Sequence, residues 1–117
     1  PQEASFVKYA INSYLGMKVT FFNQLHDAAL DFSCSPQRII DAVSADKRIG
    51  YSHTRVPGFD GKKGFGGACL PKDMNAFVKF NQDLTLIAES VKINNKMREE
   101  YELDEREKNN NIKFEDK

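Results

Sequence analysis

The sequence lacks an excess of charge of either sign: 17 Lys and Arg stand against 17 Asp and Glu. That balance removes the global electrostatic argument for nucleic acid, an anionic membrane or a strongly acidic partner, so any anion site has to be local. A long apolar run is also missing. Nothing approaches the roughly 20 residues that span a bilayer, and the start, PQEASFVKYA, has neither the basic stretch nor the apolar core of a secretory signal. A cytoplasmic protein without membrane segments is expected. Cysteine is scarce: Cys34 and Cys69 can make one disulfide at most, far from the staple density of a small secreted domain, and both read as thiols. His26 and His53 do not stand at zinc-finger spacing from each other or from the cysteines, so no metal site is expected. A length of 117 residues with 40% hydrophobic content leaves one domain with one modest core.

The pattern that is present is helical. From Glu3 to Phe32 the residues Val7, Ile11, Leu15, Phe22, Leu25 and Ala29 recur at three-, four- and seven-residue steps, which puts them on one face of a long helix. Gly16, Val19 and Thr20 weaken its middle, but no proline interrupts it. Ser35 then supplies an N-cap and Pro36 a first helical position, opening a short second helix that ends near Asp46. The stretch from Arg48 to Leu70 holds six of the seven glycines and Pro57 and has no period, so it reads as a long loop where a site should be sought. A third helix is expected from Pro71 through Phe80, and a fourth from Leu84 to near Tyr101. The reading is all-α: a bundle of about four helices, two of them long, around a glycine-rich loop. Residues 1–103 form the domain, and the charged, apolar-poor tail 104–117 is expected to be frayed or disordered.

The sharpest local feature is GFGGACLPKD, Gly64 to Asp73, where a glycine turn delivers Cys69 to the start of a helix. Unpaired N–H groups and partial positive charge there favour the thiolate, the nucleophilic form, and Lys72 adds a nearby cation. Asp73 lies four residues on, close to the same face, where a carboxylate can orient or deprotonate a water. On the first helix, Lys8 and Asn12 are also four apart, a cation and an amide donor suited to hold one oxyanion. Arg48 and Arg55 flank the irregular backbone of RIG and YSHTR and suit a phosphorylated ligand. Taken alone, each has a plainer alternative: a buried or inert thiol, a solvated helix face, surface charges. Periodicity does not say whether these places meet in space.

Together, KYAIN, KVTFFNQ, DKRIG, VPG, GFGGACLPKD and a final long helix, in that order, resemble the central domain of the UDP-glucose/GDP-mannose dehydrogenase family over roughly residues 3 to 100. The resemblance implies oxidation of the sugar C6 alcohol in two steps by NAD, through an aldehyde and a cysteine-bound thioester that water releases as a uronate. It places Cys69 as the nucleophile, Lys8 and Asn12 beside the oxygen at C6, and Asp73 at the water and thioester step. Arg48 matches an arginine that reaches the sugar nucleotide across a dimer interface. The loop carrying Tyr51, His53, Arg55, Phe65, Gly66 and Gly67 matches a wrap around the sugar nucleotide, and Lys72 lies toward the dinucleotide. Lysine and aspartate after CLP look like the UDP-glucose and GDP-mannose branches, and the DGK insertion before GFGG is like UDP-glucose enzymes, so UDP-glucose is the expected substrate. The long helices of this family pack across a two-fold axis, which implies a homodimer.

Family members also carry a Rossmann domain with a GxGxxG turn and a further nucleotide-binding domain, and neither pattern occurs here. The expectation is therefore a fragment, an excised domain or one piece of a split enzyme, inactive alone, with NAD bound mainly elsewhere, as on another chain. Two other readings stay open: a non-enzymatic helical dimerisation module that kept the scaffold, and a GDP-mannose-specific member.

Overall fold

In a computed structural model that describes residues 2–115, every regular element is a helix. These are α1 (Gln2–Asp31), α2 (Pro36–Ser44), α3 (Cys69–Phe80), α4 (Thr85–Arg98) and α5 (Glu105–Asn109). The all-α reading holds. The 30 residues of α1, at about 1.5 Å rise each, match the longest extent of the molecule, 44 Å. This one helix is the spine, and α2, α3 and α4 each pack against it.

The apolar stripe read from the sequence does not all turn inward. Phe22 and Ala29 are buried, while Val7 and Ile11 are more than half exposed. The innermost line of α1 is instead Ser13, Gly16, Thr20 and Asn23, a run of small and polar residues at three- and four-residue spacing. Gly16 explains why: a Cβ there would run into the Sδ of Met74, itself fully buried on α3. The absence of a side chain at Gly16 leaves room for the Met74 side chain against the backbone of α1. Thr20 accepts a hydrogen bond from Ser90 of α4 at 2.9 Å, so that contact is polar as well.

The core lies on one side of this spine. Phe65, Met74, Phe77 and Ile87 form its buried centre, with Tyr9, Met17, Leu70, Val78 and Val91 packed around them. Phe77 also meets Phe6 edge-on, ring centroids 5.1 Å apart. Phe65 belongs to the glycine-rich loop, so the loop is anchored in the core from within.

Several helix boundaries differ by one to three residues from the sequence reading. The third helix begins at Cys69 rather than Pro71, and the fourth ends at Arg98 rather than near Tyr101. The larger correction concerns the tail. Residues 105–109 form α5, started by a complete capping box between Asp104 and Glu107, and Ile112 behind it is buried. Average composition favoured disorder, but two buried anchors, Glu107 and Ile112, are enough to dock the segment. The expectation for residues 116 and 117 lies outside the described residues.

Candidate active site

The packing of α1 on α3 brings together three of the residues singled out in the sequence. Asp73, buried at 1% exposure, accepts a 2.6 Å hydrogen bond on Oδ2 from the Nδ2 of Asn12. The Nζ of Lys8 lies 3.7 Å from the same oxygen. On the other side, the Nζ of Lys72 stands 3.7 Å from Oδ1, which has no hydrogen-bond partner. A buried carboxylate thus faces an amide and two cations, and the attraction offsets part of what its burial costs. Cys69 is the first residue of α3, exposed, one helical turn ahead of Asp73. The α1–α3 contact thus joins a buried carboxylate to two donors on a different helix, one turn from an exposed thiol.

What aims the thiol is the turn before it. Gly64 and Gly67 both have positive φ, +77° and +78°, a region where a side chain would be strained. Four side chains from three helices fasten this turn by its backbone. Asn23 accepts from the N–H of Gly64 at 3.0 Å. Asn94 pairs with Phe65 in both senses, its Oδ1 accepting at 2.6 Å and its Nδ2 donating at 2.9 Å. Arg98 donates to the carbonyl of Gly64 at 3.0 Å, and Glu107 accepts from the N–H of Gly67 at 2.8 Å. The turn is built like an element of the core rather than a free loop.

Beside the turn opens a cavity of about 800 Å³. Tyr51, His53, Arg55, Phe65, Gly66 and Gly67 all line it, joined by Asp104 and Arg106 from the tail. The Arg55 guanidinium stacks on the exposed ring of Phe59, 4.8 Å from its centroid. Arg48 is not part of this wall. It is 89% exposed and grips Asp46 through Nη2 at 2.7 Å and Nε at 3.0 Å, bonds that hold the Asp46 carboxyl below the usual carboxylate range. Lys72 does not line this cavity either, and apart from its contact with Asp73 it is half exposed. The residues read from the sequence therefore fall into two adjoining groups, the Asp73 cluster and the cavity, linked through Gly67 to Leu70. Arg48 stands apart from both.

The sequence matches the family described as "UDP-glucose/GDP-mannose dehydrogenase family, central domain" over residues 2–98. The chain belongs to this family. Among curated relatives, it is 30% identical over 98 residues to the UDP-glucose 6-dehydrogenase YwqF of Bacillus subtilis, which covers 80% of this chain and 21% of the relative. It is 33% identical over 95 residues to the UDP-glucose 6-dehydrogenase of Rhizobium meliloti, again 21% of that protein and 78% of this one. With the UDP-glucose 6-dehydrogenase of Campylobacter jejuni the identity is 44% over 71 residues, 61% of this chain and 17% of the relative. The chain thus spans about a fifth of the length of these dehydrogenases.

Within this dehydrogenase-family domain, four residues of structural consequence escaped the sequence reading: Asn23, Asn94, Arg98 and Glu107. Each is a buried polar group whose partner lies 29 to 41 residues away. Local periodicity carries no trace of such pairings. One signal was there to be read: Asp104 followed three residues later by Glu107 is a helix-start pattern. Glu107 and Arg106 lie beyond the matched residues 2–98.

Proposed function

We propose that this domain supplies the nucleophile and the oxygen-binding groups of an NAD-dependent UDP-glucose 6-dehydrogenase, which converts UDP-glucose to UDP-glucuronate in the cytoplasm. The observation that carries the reading is the cluster of Lys8 and Asn12 on the buried carboxylate of Asp73, one turn from an exposed Cys69. The likeness to UDP-glucose 6-dehydrogenases and the DGK insertion before GFGG favour UDP-glucose over GDP-mannose.

When bound, NAD would supply the hydride acceptor for the two oxidation steps. Lys72, half exposed beside Asp73, would lie toward it, and we assign the rest of its binding to parts of the enzyme outside these residues. This chain's own part concerns C6 of the sugar. After the first oxidation the Cys69 sulfur forms a bond to the aldehyde carbon, and the π electrons of the carbonyl move to its oxygen. Lys8 and Asn12 stabilise that oxygen by charge and N–H donation, as an oxyanion hole does. Once the carbon is at the acid level, water adds to the thioester, the C–S bond breaks, and the thiolate leaves as the uronate forms. Asp73 orients that water and receives its proton. The cavity beside the turn takes the nucleotide sugar, with Arg55 toward its phosphates and Tyr51, His53, Phe65, Gly66 and Gly67 around it.

Two chains pairing through α1 are part of the proposal, and Arg48 then faces the partner's substrate. Supporting this, Phe6, Val7, Ile11, Tyr14 and Phe21 leave α1 with more than half of their surface exposed. Next to them runs a groove of about 430 Å³ between α1 and α4. Apolar surface of this extent on one helix is typical of an interface.

The test is thiol chemistry. Cys34 is also exposed and serves as an internal reference. With iodoacetamide at neutral pH, Cys69 should alkylate several-fold faster than Cys34, and UDP-glucose should slow Cys69 alone. Equal rates for the two thiols would remove the physical basis of the assignment.

A further inference from the structure

We propose that Glu107 is a positioning residue for the Cys69 thiol: its buried carboxylate latches the tail helix α5 to the glycine turn that presents the sulfur. The proposal rests on the catalytic reading of Cys69 and extends it to a segment outside the family match.

The start of α3 has no fastening of its own. Its N-cap is Ala68, which has no side chain to bond the first-turn N–H groups. The nearest side-chain tie is one residue earlier, where Oε2 of Glu107 accepts from the N–H of Gly67 at 2.8 Å. Oε1 of the same carboxylate accepts from the N–H of Asp104 at 3.0 Å and closes the capping box of α5. One fully buried carboxylate therefore joins the beginning of the tail helix to the backbone two residues before the nucleophile.

The surroundings are shaped to this group. Arg98, 2% exposed, stands 3.8 Å from Oε2 and also pairs with Asp60 and with the carbonyl of Gly64. At Gly66 a Cβ would run into both the Arg98 guanidinium and the Glu107 carboxylate, so the turn lies directly on the pair. A helix of five residues has no stability by itself. The order of α5 depends on Glu107, on Ile112 in the core, and on the Arg98 guanidinium 5.7 Å from the Phe114 ring. Turn and tail therefore hold each other, and loosening either frees the first turn of α3 and moves the sulfur off the helix mouth.

The experiment compares Glu107→Ala and Glu107→Gln with the wild-type 117-residue chain. Alkylation of Cys69 and Cys34 is followed by mass spectrometry in the same tube. The alanine variant should lower the ratio of Cys69 to Cys34 rates by roughly three- to tenfold, toward one. Glutamine keeps an oxygen for the Gly67 N–H and should recover most of that loss. A folded alanine variant whose ratio stays within about twofold of a raised wild-type ratio overturns the latch and leaves the catalytic reading standing. Amide hydrogen exchange of the wild-type chain decides the matter if the alanine variant does not fold, or if wild-type Cys69 is no faster than Cys34. The Gly67 amide should be protected and should open together with the Glu107 amide. Exchange of Gly67 at an unprotected rate overturns the latch whatever the thiols do.

Discussion

Replacing Asn94 by alanine isolates the contact on which the glycine turn depends most. The side chain is 1% exposed and satisfies both backbone groups of Phe65, at 2.6 Å and 2.9 Å. Removing it leaves a buried N–H and a buried C=O without partners, each costing about 1–3 kcal/mol. Phe65 is sealed in the core, so water has poor access to either group. The expected loss is about 3 kcal/mol, a large part of the roughly 5–15 kcal/mol that holds a small domain together. Followed by circular dichroism in urea with an m-value of about 1.5 kcal/mol per molar, that is a drop of about 2 M in the midpoint. Asn94→Leu is close in volume and removes the same two bonds without leaving a hole. The two variants should therefore agree within about 1 kcal/mol. A leucine variant as stable as wild type would refute the reasoning, because it would mean that filling the space, not pairing the backbone, is what Asn94 does.

Gly16→Ala should destabilise the fold by about 1–2 kcal/mol in the same urea assay, because overpacking against buried Met74 outweighs the roughly 1 kcal/mol that alanine gains in helix propensity. A stabilised variant would show that the α1–α3 contact is loose. At Asp27, burial pushes the carboxyl up, but the bonds from Lys63 at 2.7 Å and from His26 outweigh it and hold it below its ordinary value of 3.8. A depressed carboxylate contributes stability above that value and loses it as the pH falls below. Asp27 is half exposed, so Asp27→Asn should lower stability by less than about 1 kcal/mol at pH 7. The gap to wild type should close as the pH falls through the lowered carboxylate range, and a gap that widened there would reverse the sign of the argument. Finally, if two chains pair through α1 as proposed, Ile11→Glu places a charge on that exposed face and should shift a wild-type dimer toward monomer in sedimentation, with its helicity unchanged. An unchanged oligomer would move the interface elsewhere.

The helices were legible because their signals are local. The period of α1, the Ser35–Pro36 start of α2 and the aperiodic glycine-rich stretch each depend on residues within a turn or two of one another. The residue order around GFGGACLPKD was specific enough to point to the family, and its glycines marked where the backbone would bend sharply. Other matters were not open to that reading. Val7 and Ile11 share a face with Phe22, yet they are exposed while Phe22 is buried. Which part of a stripe is covered depends on how far the neighbouring helices reach along a 30-residue spine. The tail looked unstructured because composition averages over residues, whereas docking turns on a few buried contacts, Glu107 and Ile112 foremost.

The sequence by itself determined where the four longer helices lie, where the chain has to turn, and which side chains bring reactive groups. Tertiary structure alone decided which of those groups meet. Asn12 and Asp73 are 61 positions apart, and Gly67 and Glu107 are 40 apart. Helical period extends a few residues and carries no information at that range. What brings them together is the close approach of α1 to α3 at Gly16 and the burial of polar groups that must find partners once water is excluded.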